Sequence, residues 1–67
     1  MYGFVELSRT VVCVAYVVLT YDEVELGVVY GNLVQGWLVE GDLFSGAWPS
    51  KEMAAARLDV LYRLRAA

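Results

Sequence analysis

The chain has 67 residues, 60% of them hydrophobic, with eight acids against five bases for a formal charge of −3. That length gives room for one domain over residues 1–67, and the apolar share exceeds the roughly 45–50% usual for soluble domains. The sequence has no histidine and only Cys13, which excludes an intramolecular disulfide, disfavours zinc and leaves scattered acids without the usual neutral-pH base; we expect no catalytic residue, metal or cofactor.

In chain order, residues 2–7 read as a first short strand, with Ser8-Arg9 as its turn. Val11 to Leu19 is apolar at odd and even positions alike and rich in β-branched valine, the pattern of a central strand covered on both faces. Cys13 within it reads as a buried small hydrophobe. The run is far shorter than the roughly 20 residues of a membrane span, and no basic segment precedes it. A reducing cytoplasm is therefore the expected compartment.

Val24, Leu26, Val28 and Tyr30 alternate with Glu25, Gly27 and Val29, so the first four are expected on one sheet face. Gly31-Asn32 follows as a two-residue turn, with a return strand from Leu33 to Val39. Gly41-Asp42 then supplies a second turn into Leu43 and Phe44. The segments Gly31 to Trp37 and Gly41 to Trp48 echo each other at an offset of ten positions, a spacing suited to successive hairpins.

Trp48-Pro49-Ser50 breaks the strand pattern, Ser50 can cap a helix, and Lys51 to Arg65 is rich in Ala, Leu and Arg. On a helical projection Met53, Ala54, Val60, Leu61 and Leu64 form an apolar arc, with Glu52, Asp59 and Arg63 opposite. Asp59 and Arg63 form a favourable i,i+4 pair. Arg57 falls inside the arc. It has three options: to snorkel, to pair with an acid from the sheet, or to reach a partner's carboxylate or phosphate. The fold expected is α+β, a small antiparallel meander of three to five strands over about 2–48, packed against one C-terminal helix over about 50–65.

Such a helix covers one sheet face only, and the apolar surplus leaves surface for a partner. The residues expected to bind one are Trp37, Trp48, Phe44, Tyr30 and Arg57, since large rings and arginine dominate interface energetics. The partner expected is a protein, either a second copy or a larger target.

A three-stranded sheet followed by a helix opening Pro49-Ser50-Lys51-Glu52, with alanines one turn apart, resembles AP2-type DNA-binding domains. The resemblance implies strands that read DNA with basic and aromatic side chains, whereas these strands carry acids and almost no Lys or Arg. In size, acidity and lack of catalytic groups the chain is similar to small phage-encoded inhibitors of host proteins, including anti-CRISPR proteins, which implies docking on a larger target. The reading favoured is a small interaction module; the alternatives are a nucleic-acid-binding regulator using the basic helix and a subunit that assembles through sheet edges.

Overall fold

A computed structural model describes residues 2–42 and 46–66. Four strands, β1 (Gly3–Arg9), β2 (Val14–Leu19), β3 (Glu25–Asn32) and β4 (Gly36–Val39), precede one helix, α1 (Lys51–Ala66). The strands form one antiparallel sheet in the order β1-β2-β3-β4, the expected meander with its C-terminal helix. Leu43 and Phe44, where the second hairpin was expected to continue, lie outside the described residues.

Both turns fall later than the Ser8-Arg9 and Gly31-Asn32 positions expected from the sequence. The first strand runs through Ser8 and Arg9, and Thr10 closes the turn: its amide donates to Cys13 O at 2.8 Å and its Oγ1 accepts from the Cys13 amide at 3.1 Å. Val11 and Val12 therefore sit at a turn tip rather than in the central strand, and Cys13 is only half-buried. In the next hairpin Gly31 and Asn32 still pair with Trp37 and Gly36. The turn is instead 33–35, because Asn32 Oδ1 accepts from the amides of Val34 at 2.9 Å and Gln35 at 2.6 Å, the Asx arrangement that substitutes for a backbone turn. The return strand accordingly starts at Gly36.

Two bulges set the faces. Val18 pairs with Gly27 but Leu19 pairs with Glu25, so Leu26 is the extra residue of β3; Glu6 pairs with Tyr16 but Ser8 with Ala15, leaving Leu7 extra in β1. The bulge breaks the alternation expected over 24–30. Leu26 and Val29 go into the core while Val28 and Tyr30 lie on the opposite face, since one inserted residue reverses the side-chain phase.

Helix α1 begins where Ser50 caps it, its Oγ accepting from the Met53 amide at 3.2 Å. It docks through Ala54, Ala55 and Leu58, all at most 1% exposed, with Leu61 alongside. This corrects the expected arc: Met53 and Val60 are each 46% exposed and Leu64 is 68% exposed. Small side chains win the sheet-facing positions because they let the helix axis come close. A Cβ at Gly27 would lie 3.0 Å from Leu58 Cδ1, so Leu58 fills the space that this glycine leaves. The core is completed by Val14, Val18, Val29, Trp37 and Val39.

Gly31 is the tightest point of the sheet. Its φ is +152° and a Cβ there would meet Gly36 O at 2.1 Å, backbone that cannot rotate away. Gly31→Ala is expected to cost on the order of 3 kcal/mol, a large part of a small domain's stability. Urea denaturation checks it; a midpoint matching wild type would show that β3 and β4 can part without loss.

Candidate functional site

Register sorts the sheet into two faces. Phe4, Val18, Tyr16, Val14, Val29, Trp37 and Val39 share the face under α1. The other face carries cross-strand rows: Val5, Val17 and Val28 in one, Ser8, Ala15, Tyr30 and Leu38 in the next, Gly3, Leu19 and Glu25 in a third. Among the described residues no element covers this second face. Val5 is 53% exposed and Leu38 37%, while Val17, Val28 and Tyr30 are half-shielded by their neighbours alone.

The same end of the sheet carries the 10–13 and 33–35 turns. Asn32 ties them together, its Nδ2 donating to Val12 O at 2.7 Å. At their tips Val11, Val12, Leu33 and Val34 are each at least 72% exposed, so four apolar side chains stand in water at that end of the sheet, Leu33 and Val34 beside Trp48 and Pro49. Acids mark the β3–β4 half of the open face: Glu25 at the start of β3, and Glu40, whose amide donates to Val28 O at 3.0 Å. The β1–β2 half carries no charge in these rows.

The residues expected to bind a partner are dispersed. Tyr30 lies on the open face. Trp37 is 4% exposed in the core, its ring 5.9 Å from that of Tyr16. Trp48 is half-buried on the helix side and forms a two-way backbone bridge with Trp37, at 2.8 and 2.7 Å. The echo thus brings the two tryptophans opposite each other, but under the helix rather than on an outer face. Phe44 lies outside the described residues. Arg57 takes the second of its three options, with Nε donating to Asp42 Oδ2 at 2.8 Å; the Asp42 side chain is 4% exposed.

Two other cations of the helix, Lys51 and Arg63, are also engaged. Arg63 pairs with Asp59, as the spacing predicts, at 3.2 Å. Lys51 Nζ stands 4.6 Å from the Tyr16 ring centroid and 4.9 Å from that of Phe4, a cation–π arrangement. Arg9 pairs with Glu6 at 2.7 Å. Asp59 also accepts from Tyr2 Oη at 2.8 Å, tying the N-terminal end of the sheet to the helix. That hydrogen bond, with some burial and the carboxylate's charge, raises the Tyr2 pKa above its ordinary 10.0.

The open-face residues Val5, Val17, Val28 and Leu38 were not singled out from sequence. The usable signal was that β2 is apolar in both phases, which requires two covers where the chain supplies one helix. No helix among the described residues is long and apolar enough to cross a membrane, and no group of three His, Cys, Asp or Glu side chains comes together there. No protein-family model, no curated protein and no solved structure matches the chain.

Two stabilising contacts can be tested. Arg57→Met removes the Arg57–Asp42 ion pair; because Arg57 is one-third exposed, the loss is expected to be about 1–2 kcal/mol rather than the larger cost of a fully buried pair. Thermal melts at neutral pH decide this, and an unchanged melting temperature would show that water replaces the pair at no cost. For Tyr2 the sign follows from a raised pKa: the contact stabilises fully below the ordinary value and is lost as pH rises through the higher folded value. Tyr2→Phe should therefore melt lower than wild type by a constant margin up to about pH 10, with the gap closing above it. A gap independent of pH throughout would argue against the Asp59 hydrogen bond.

Proposed function

We propose that the chain is a non-catalytic protein–protein interaction module that docks through the sheet face opposite α1. The observation that carries this reading is the pair of uncovered apolar rows, Val5-Val17-Val28 and Ala15-Tyr30-Leu38, on the sheet face that no described element covers. Contiguous apolar surface rimmed by acids is the usual form of a docking site, because its desolvation drives association while the rim selects the partner.

Sheet edges offer less. β1 is broken by the Leu7 bulge, and the outer edge of β4 is taken by the Trp37–Trp48 bridge, both of which blunt strand-to-strand assembly. A nucleic-acid role would rest on Lys51, Arg57, Arg63 and the exposed Arg65, of which Arg57 and Arg63 are paired with acids and Lys51 sits over two rings.

A photo-crosslinking residue in place of Tyr30 is expected to give a defined adduct in cells, competed by excess wild-type chain, whereas the same residue in place of Glu52 on α1 gives none. Equal labelling from both positions, or none from Tyr30, would remove the open face as the docking surface. An adduct with a larger protein would group the chain functionally with the small inhibitors it is similar to in size and acidity.

A further inference from the structure

We infer that the occupant of the open face is a second copy of the chain, packed sheet on sheet about a two-fold axis parallel to the strands and passing between β2 and β3. This inference rests on the docking reading above and names the partner.

Area comes first. The chain exposes 4740 Å², against roughly 4,200 Å² expected for a folded chain of 7.5 kDa. The surplus is about 500 Å², close to what each copy must bury to reach the roughly 1,000 Å² of a specific interface. A four-stranded face at about 4.8 Å between strands and 3.3 Å per residue is small, and a second such face matches it in size. An isologous contact also counts every favourable pair twice.

Charge and shape then select the axis. The acids of the open face, Glu25 and Glu40, belong to β3 and to the residue after β4, while the β1–β2 half presents Gly3, Val5, Ser8, Ala15, Val17 and Leu19. A two-fold axis between β2 and β3 lays each acidic half over the uncharged half of the copy, so no like charges meet. The same axis sets the small Ala15 of one copy opposite the large Tyr30 of the other, and Val17 opposite Val28. It also brings the apolar turn tips to the same end. A two-fold axis across the strands would instead place β1 over β1 and leave Ala15 facing valine. Aligned packing of this kind is the common arrangement of two sheets about 10 Å apart.

Light scattering on a size-exclusion column across a range of concentrations is the test. Wild type is expected to double its mass from about 7.5 to about 15 kDa as concentration rises. Val5 would lie opposite the partner's Glu40, so Val5→Glu should shift the dissociation constant upward by at least about tenfold, while Val5→Lys leaves it unchanged or tightens it. Tyr30→Ala should also dissociate the dimer. All three substitutions are on the outer face, and circular dichroism melts report that each variant is folded. A wild-type monomer at every concentration overturns self-association, while a competed Tyr30 adduct of larger mass would still uphold docking by this face. A dimer indifferent to Val5→Glu and Tyr30→Ala overturns both. Equal dissociation by Val5→Glu and Val5→Lys overturns the axis.

Discussion

A sheet apolar on both sides with one helix to cover it is the constraint from which the other features of this chain follow. Hydrophobic burial stabilises in proportion to the area removed from water, and the chain directs α1 to the side where that removal is most complete. Ala54 and Ala55 bring the helix close, Leu58 enters the space left by Gly27, and Val18 and Val29 beneath are fully buried. The opposite face receives no such cover from the described residues. Valine, alanine and tyrosine there are shielded only by one another.

Polar groups in the structure chiefly fasten elements together. Asn32 joins the two turns at one end of the sheet, Thr10 closes one of them, Tyr2 holds Asp59 at the other end, and Arg57 reaches Asp42 just beyond β4. The Tyr2, Asn32 and Arg57 bonds link segments far apart in sequence, so the small core gains fixed geometry that its area alone would define weakly. One consequence is that few charged side chains remain uncommitted on the helix, which leaves apolar surface as the principal feature presented outward.

The helix and the meander were legible because their signals are local. Ser50 after Trp48-Pro49 marks a cap whatever the helix packs against, and the valine-rich runs mark strands whatever lies above them. The faces were not legible. The Leu26 bulge reverses the phase of β3, and nothing in the alternation of Val24, Leu26, Val28 and Tyr30 reveals an inserted residue. Turn positions failed for a related reason: Gly31 and Asn32 have turn-forming character, but Gly31 is used for close approach to Gly36 and Asn32 for its side-chain oxygen. On the helix, fit outweighs size: Ala54 and Ala55 take buried positions while the larger Met53 and Val60 are exposed. Large rings likewise suggested an outer site, yet Trp37 fills the core and the open surface is built chiefly of valine.

The bridge between Trp37 and Trp48 has an optical consequence. Both indoles lie on the helix side, with Nε1 atoms buried and without a hydrogen-bond partner, so their emission belongs at the blue end of the tryptophan range and moves red on unfolding. The protein's intrinsic fluorescence is therefore a gauge of its interior, blind to whatever meets the valine face, whose own chromophore is the single phenol of Tyr30.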